Sequence, residues 1–291
     1  MTRPLLAVPN VSEGQDQELI DAVAQAFDAR LLDVHSDPDH HRSVYTIAGR
    51  PGELAPAVLA GAREASRRID VAEHQGAHPR VGAVDVAPIV YLDERDRGAA
   101  CAEALVLADM LGVELELPVL LYGELAGGRS RAGLRAGGLG ALASRIENGE
   151  LRPDFGPSRL HATAGAVLVA SRPPLVAFNV ELAPPATLED ARAIAAVIRE
   201  GGSGGLESVR AIGVWLAERG RAQVSTNVEN HLKTPLRKVV AAVAEHTQIH
   251  EAELVGLAPR AAFDGFPDEI PVRGRATIED ALRGPSNTLS C

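Results

Sequence analysis

Apolar positions in the first half of the chain change repeatedly between two spacings. Alternation of apolar and polar residues indicates a β-strand, and apolar residues that recur every three to four positions indicate an amphipathic helix. The pattern predicts strands at residues 4–9, 31–35, 43–48, 84–92 and 117–121 and helices at residues 53–70 and 95–111. A further helix is predicted to open at Ser12, which has the spacing of a capping box with Gln15. The order is β-α-β-β-α-β with an appended α-β pair.

The second half of the chain repeats this order. Its pattern predicts strands at residues 175–182, 209–216, 222–228 and 252–258 and helices at residues 188–200 and 236–247. A β-α-β-β-α-β order is typical of the ferredoxin-like arrangement. We therefore predict an α+β protein with two ferredoxin-like (βαββαβ-type) subdomains, whose sheets are covered by helices.

The connection between the halves is rich in glycine and arginine over residues 123–157. Its turn and breaker residues place the boundary after it, next to the prolines at residues 173–174. We expect an N-terminal subdomain at residues 1–172 and a C-terminal subdomain at residues 173–265. Residues 266–291 have weak periodicity and are predicted to form a partly ordered tail.

Composition restricts the partners that this protein can have. Hydrophobic residues occupy 46% of the 291 positions, which is enough for a sizeable core. The formal net charge of −10 argues against nucleic acid and anionic membranes, which are bound by clustered Lys and Arg. The sequence shows neither an export segment nor a run of about 18 apolar residues. We expect a cytoplasmic protein that binds neither nucleic acid nor membranes.

Residues 74–85, with the sequence HQGAHPRVGAVD, place two histidines, an arginine and an aspartate ahead of an apolar strand. Gly76 lowers the helix propensity, and Pro79 disfavours the helical region for His78, so we predict a loop. An imidazole exchanges protons near neutral pH, and the carboxylate of Asp85 can orient it. The motif makes His78 a candidate general acid–base; the alternative is a loop histidine that caps the strand.

This loop and the sequence VPNVSEG at residues 8–14 together resemble the formiminotransferase domain of the glutamate formimidoyltransferase family. The resemblance covers nearly the whole chain. It continues through DxxxDxxxxRSVYT at residues 33–46, LYGE at 121–124, RAG at 135–137, DFGPS at 154–158, AFN at 177–179, IGVWL at 212–216, QVSTN at 223–227 and LVGL at 254–257. Bifunctional members of the family carry a cyclodeaminase domain after this region.

The resemblance implies transfer of the formimino group of N-formimino-L-glutamate to N5 of tetrahydrofolate in histidine degradation. Tetrahydrofolate is then a co-substrate, and His78 is the catalytic residue. One imidazole can take the proton from N5 and return it to the departing glutamate nitrogen. The family further implies a homodimer, and a cyclodeaminase on a separate chain is the expected partner. Ligands are expected in a groove between the subdomains, where pockets commonly form.

Eleven residues are candidates for binding the substrate or the folate. The resemblance implies that Asp37 holds the amidinium or folate N5 and that residues 156–165 form the folate-binding segment. His41 and Ala164 depart from the family pattern, which often has Asn and, in vertebrates, Trp at these positions. The candidates are Asn10, Asp37, Arg42, Arg80, Tyr122, Gly156, Pro157, Ser158, Thr163, Gly165 and Asn227.

Several of these residue types also have a plain structural interpretation. Arg80 either pins a substrate carboxylate or braces the loop through Asp85. Asn10, next to a predicted helix start, either helps a carboxylate to dock there or merely precedes the helix cap. Asn227 lies on a strand of alternating polar residues, where ordinary solvation explains it equally well. Three arginines in the connector are either a patch for the folate glutamyl tail or a solvated surface: Arg129, Arg131 and Arg135.

Residues 33–42 contain three histidines, three aspartates and an arginine, which also suits a metal site. A metal-dependent hydrolase is therefore one alternative function. Against it, the segment has no HExxH or comparable fixed spacing, and formimino transfer needs no metal. We predict no metal site. The remaining alternatives are formyl transfer between 5-formyltetrahydrofolate and glutamate, and folate binding without turnover.

Overall fold

The computed structural model describes residues 3–73 and 80–284. They fall into two compact units, Met1–Pro173 and Pro174–Gly284. Within the described residues, no helix is both long and apolar enough to cross a membrane.

The first unit is built on a seven-stranded sheet of the described residues. Strands β1 and β2 follow each other along one line of the sheet, and both pair with β4 on one side and β5 on the other. Strand β3 lies outside β4, and β7 and then β6 lie outside β5. The elements are β1 (Leu5–Ala7), β2 (Asn10–Val11), α1 (Gln17–Ala26), β3 (Arg30–Asp37), β4 (Arg42–Gly49), α2 (Leu54–Arg68), β5 (Val84–Val90), α3 (Arg97–Glu114), β6 (Val119–Leu121), α4 (Arg131–Arg135), α5 (Gly138–Glu147) and β7 (Val167–Arg172).

Helices α1, α2 and α3 cover one face of this sheet and form the main core with it. The alternate residues of β4 that point to this face include Tyr45, which packs on Phe27 with ring centroids 5.2 Å apart. On the opposite face, α4 and α5 form a smaller core with the strands through Leu134 and Leu142. The candidate site lies on this second face, next to the smaller core.

The second unit has a five-stranded sheet in the order β12-β11-β8-β10-β9. Helices α6 and α7 cover one face, where Phe178, Ile194 and Val239 belong to a separate core. The elements are β8 (Val176–Leu182), α6 (Leu188–Ile198), β9 (Val209–Leu216), β10 (Arg221–Val228), α7 (Leu236–Ala244), β11 (Ile249–Val255), β12 (Val272–Arg273) and α8 (Ile278–Arg283). The predicted α+β class with two ferredoxin-like subdomains is confirmed.

The structure differs in three details from the elements that the hydrophobic pattern predicts. Helix α1 begins at Gln17 with Asp16 as its N-cap, so the predicted start at Ser12 was wrong. Strand β7 was not predicted, although it lies between β5 and β6 and pairs in parallel with both. The second unit also extends through residues 266–284, where Phe266 is buried and β12 pairs with β11.

Candidate active site

Asp85 is a carboxylate near the start of β5, an otherwise apolar, fully buried strand. The pairing of β5 with β2 shifts here, because Asn10 lies opposite Val86 whereas Val11 lies opposite Val84. Asp85 is therefore the extra residue of a β-bulge, a feature that redirects a side chain from its regular position. Only 2% of Asp85 is exposed, and its Oδ1 accepts a hydrogen bond from the backbone N–H of Val81 at 2.9 Å. The carboxylate thus holds the residue that follows Arg80.

Arginines from different elements surround this carboxylate. Arg135, at the end of α4, donates from Nε to Oδ1 at 3.3 Å and from Nη2 to Oδ2, a two-point contact. Arg42, at the start of β4, has Nη2 3.9 Å from Asp85 Oδ2 and donates to Asn10 Oδ1. Asn10 in turn donates to the carbonyl of Val8 at 2.9 Å. These contacts fix the planes of both guanidinium groups.

The pKa values of Arg42 and Arg80 reflect their burial and the charges around them. Burial lowers the pKa of Arg42 to about 9; Asp85 raises it, and the neighbouring cations Arg135 and Arg131 lower it further. Burial also lowers the pKa of Arg80, against the opposing effect of Asp85. At neutral pH these groups remain charged. We call Arg42, Arg80, Arg131 and Arg135 the arginine cluster, in which guanidinium charge outnumbers the carboxylate charge of Asp85.

Tyr122, which follows β6, completes this side of the sheet. The guanidinium carbon of Arg131 lies 5.7 Å from the centroid of the Tyr122 ring, a cation–π contact. The ring is 5% exposed, and its buried hydroxyl has no hydrogen-bond partner within residues 3–73 and 80–284. Buried polar groups are nearly always satisfied, so an unpaired hydroxyl beside several guanidinium groups suits a polar, anionic ligand.

The turn between β3 and β4 is held by local contacts. Asp37 is 4% exposed and accepts the backbone N–H of His40 at 2.8 Å. His41 adopts φ 49° and accepts the backbone N–H of Gly14 at 3.2 Å, with Glu13 Oε1 at 3.4 Å from the same Nδ1. In the described part of the chain, no group of three or more His, Cys, Asp or Glu is arranged to hold a metal ion.

Two family profiles match nearly the whole chain. The "Formiminotransferase domain, N-terminal subdomain" matches residues 5–172, and the "Formiminotransferase domain" matches residues 177–264. The chain belongs to the formiminotransferase domain family. The boundary between the two matches coincides with the division of the structure at residues 173–174.

Named relatives support the same family. The formimidoyltransferase-cyclodeaminase of Sus scrofa is 40% identical over 282 residues, which cover 90% of this chain and 51% of the relative. The glutamate formimidoyltransferase of Streptococcus pyogenes serotype M1 is 35% identical over 90% of this chain and 91% of its own. That of Thermoplasma acidophilum is 35% identical over 88% of each chain. The chain therefore spans about half the length of the animal relative.

The N-terminal subdomain of this formiminotransferase family member brings together several predicted site residues. Asn10 and Arg42 are in direct contact. Arg80 interacts electrostatically with Asp85, and Tyr122 does so with Arg42. Asp37 lies on the β3–β4 turn described above. Residues 74–79, which include His78, lie outside the described residues. Asn227 lies in the other subdomain, on β10, opposite Ala177 and Arg210.

The predicted folate-binding segment has its glycines against the protein's own backbone. Gly156 adopts φ 74°, and a Cβ there would lie 2.1 Å from the carbonyl oxygen of Leu117. Gly165 similarly approaches Val81, and its neighbour Thr163 is half-buried. Pro157 and Ser158 follow Gly156 in an irregular stretch, where Ser158 is exposed. Close packing against the backbone therefore explains glycine at both positions, in addition to any contact with a flat ligand.

The three connector arginines have different partners. Arg129 forms an ion pair with Asp154 at 2.9 Å, Arg131 lies over Tyr122, and Arg135 binds Asp85. The sequence predicts Asp85 as an orienting group for His78 or as the carboxylate through which Arg80 braces the loop. Its central place among several arginines was not predicted, although a single charged residue inside an apolar strand was a usable signal.

Proposed function

We propose that this protein transfers the formimino group of N-formimino-L-glutamate to N5 of tetrahydrofolate, a step of histidine degradation. The observation that carries the proposal is the arginine cluster with the unpaired Tyr122 hydroxyl. It lies directly beside the strand that follows the His78 motif, in a chain whose net charge is −10. Local positive charge in an acidic protein is expected where an anionic substrate binds.

The cluster is suited to the carboxylates of formiminoglutamate. Arginine presents a planar fork that pairs with a carboxylate at two points. Arg135 already uses this fork on Asp85, whereas Arg131 lies over the Tyr122 ring with its charge close to Arg42. A substrate carboxylate near Arg42 and Arg131 would offset their mutual repulsion and would accept the hydrogen bond that the Tyr122 hydroxyl lacks.

His78 supplies the proton chemistry in this proposal. The neutral N5 amine of tetrahydrofolate attacks the amidine carbon, His78 takes the proton that N5 loses, and the same imidazole protonates the departing nitrogen of glutamate. Such general acid–base catalysis contributes a factor of about 10²–10⁴. The rest of the acceleration comes from holding two substrates in reacting position. No step requires a metal ion.

The partners follow from the same chemistry. Relatives of this chain join formimidoyltransferase and cyclodeaminase in one name. We propose that a cyclodeaminase uses the product, and that the protein acts in the cytoplasm as a homodimer. Sedimentation of the purified protein measures directly whether it is a homodimer.

The deciding experiment is incubation of the purified protein with formiminoglutamate and tetrahydrofolate. Formation of 5-formimino- or 5,10-methenyltetrahydrofolate, followed by absorbance, supports the proposal. Turnover only with 5-formyltetrahydrofolate and glutamate would assign formyl transfer instead. Folate binding without either product would leave a binding protein, and activity that depends on an added metal would favour the hydrolase.

A further inference from the structure

A short turn at residues 161–165 is closed by a histidine side chain. The backbones of His161 and Gly165 bond each other in both directions, with N···O distances of 2.9 Å and 3.0 Å. Inside this loop, the backbone N–H of Ala164 donates to His161 Nδ1 at 3.0 Å, and that of Thr163 lies 3.4 Å from the same nitrogen. The imidazole therefore satisfies backbone donors that the turn itself leaves without an acceptor.

These bonds identify the tautomer of the neutral ring. A nitrogen that accepts backbone N–H groups carries no proton, so the proton of the neutral imidazole is on Nε2. A side chain without an acceptor at this position cannot bind these donors. His161 thus acts on the turn as an acceptor.

The same turn is bonded to both ends of the segment that carries His78. On the near side, the N–H of Val71 donates to the carbonyl of Thr163 at 2.8 Å. On the far side, the N–H of Ala83 donates to the carbonyl of Ala164 at 2.9 Å, and the N–H of Ala166 donates to the carbonyl of Val81 at 2.9 Å. One five-residue turn therefore holds residue 71 and residues 81–83 together.

The backbones of the turn and of residues 81–83 are too close to accommodate a Cβ atom at either of two glycines. A Cβ on Gly82 would lie 1.9 Å from the carbonyl oxygen of Ala166. Gly165 adopts φ 71°, and a Cβ there would lie 2.3 Å from the carbonyl oxygen of Val81. Backbones this close transmit a shift of the turn directly to the residues around it.

We propose that His161 is a positioning residue for the transfer reaction: its Nδ1 closes the turn at residues 161–165, and this turn fixes both ends of the segment that carries His78. The proposal rests on the proposed function, because it gives His161 a role through His78. His161 itself takes no part in the chemistry. Its loss loosens the base of the segment, and the position of the reacting imidazole becomes less well defined.

The test compares side chains that keep or remove the acceptor. His161→Asn keeps one, since an Asn oxygen readily accepts backbone N–H groups two or three residues ahead. His161→Leu removes it, and His161→Ala removes it without adding a group that could clash. The matched control is His246→Leu, which removes an exposed histidine of the second unit.

Hydrogen exchange is measured first, because it needs no activity. We expect the amides of residues 163–166 and 81–83 to exchange about tenfold faster in His161→Leu and His161→Ala, with near-normal exchange in His161→Asn and the control. For turnover per folded molecule, we expect kcat to fall by about 10- to 100-fold in the two variants without an acceptor, with a smaller change in the KM for folate. His161→Asn should restore kcat.

The variants without an acceptor, His161→Leu and His161→Ala, can overturn the proposal. Unchanged exchange at residues 81–83 in both of them would do so, and so would a normal kcat in either one when it is folded. An Asn variant as impaired as the Ala variant would also contradict it. If the wild-type protein shows no transfer at all, the proposed function fails, while the exchange experiment still decides whether His161 holds the turn.

Discussion

Arg42 in the first unit and Arg273 in the second both lie on the sheet face opposite the long helices, yet their charges are stabilised in different ways. Burial lowers the pKa of Arg42, and other arginines nearby lower it further. Burial acts in the same direction on Arg273, but hydrogen bonds and charge from Glu181 and Glu253 outweigh it and raise the pKa above its usual value. The two sheets therefore use the same residue type for different purposes.

The second unit surrounds its arginines with carboxylates. Arg273 Nη2 lies 2.8 Å from Glu181 and 2.9 Å from Glu253, and Nη1 bonds Glu251. Arg219 adds a 3.1 Å contact with Glu181, which is 1% exposed. We call Glu181, Glu251, Glu253, Arg219 and Arg273 the glutamate network. Its carboxylates outnumber its guanidinium groups, so every arginine charge in it is already matched.

Under the proposed function, this difference separates a structural ion network from a ligand site. In the glutamate network the positive charges have protein partners, as expected for groups that hold strands together. In the arginine cluster Asp85 faces several cations, and an anion that enters would interact favourably with them. We therefore propose that anion binding belongs to the first unit and that the network of the second has a structural role.

The largest effect that tests this assignment is expected at His78. His78→Gln should lower kcat by about two to four orders of magnitude, with little change in folate affinity, because proton transfer matters chiefly in the transition state. His74→Gln, in the same loop, is the matched control. Kinetics, folate binding and melting temperature are measured on the same preparations. Near-normal turnover per folded molecule of His78→Gln would remove the catalytic assignment.

Removal of a buried carboxylate should lower the free energy of unfolding more in the first sheet than in the second. Asp85→Asn leaves buried Arg42 and Arg135 without their carboxylate, and we expect the free energy of unfolding to fall by about 3 kcal/mol. In Glu181→Gln, Arg273 keeps Glu251 and Glu253, so a loss of about 1 kcal/mol is expected. Urea denaturation of both variants gives the comparison. Equal losses would mean that the two clusters stabilise the fold alike.

Charge removal from the arginine cluster should affect substrate binding. Arg42→Gln is expected to raise the KM for formiminoglutamate by about 10- to 100-fold with a smaller change in kcat, since a charged hydrogen bond to the substrate is lost. Arg219→Gln, in the glutamate network, should leave this KM unchanged. The assignment of anion binding to the first unit fails if both variants change KM equally.

The lowered pKa of Arg42 predicts a change at high pH. Its charge is complete at pH 7 and is lost as the pH rises through about 9, so the KM for formiminoglutamate should rise up to about tenfold by pH 10. For stability the sign is opposite: the buried charge is unfavourable, and its cost fades above this pKa. Steady-state kinetics from pH 7 to 10 test the binding effect, and Arg42→Gln should lack this rise.

The smallest effect is expected from metal removal. Exhaustive chelation should leave transfer activity nearly unchanged, because every proposed step uses side chains and the two substrates. The measurement is kcat before and after dialysis against a chelator. Activity that disappears and returns with Zn²⁺ would contradict a metal-free reaction and would direct attention to residues 33–42.

Much of the fold follows from local sequence. The strands and helices of both βαββαβ units were predictable because apolar spacing depends only on residues a few positions apart. The strand β9 has the predicted bounds, Val209–Leu216. The family was also readable from short motifs, and its two subdomains agree with the division of the structure.

Long-range contacts decided the rest. Asp85 and Arg135 are 50 positions apart, and nothing local shows that they meet. Strand β7 lies between β5 and β6 although it comes after both in the chain. Ser12 has the form of a helix cap, but its hydroxyl bonds the carbonyl of Gly82 instead. In each case the partner is set by strand pairing and burial between distant residues.

Local sequence patterns were therefore enough for most of the element order, for the family and for the residue types available for chemistry. The carboxylates and cations that surround each arginine were set by long-range folding, because these groups come from other strands and lie where folding excludes water. The opposite pKa shifts of Arg42 and Arg273 are the direct result.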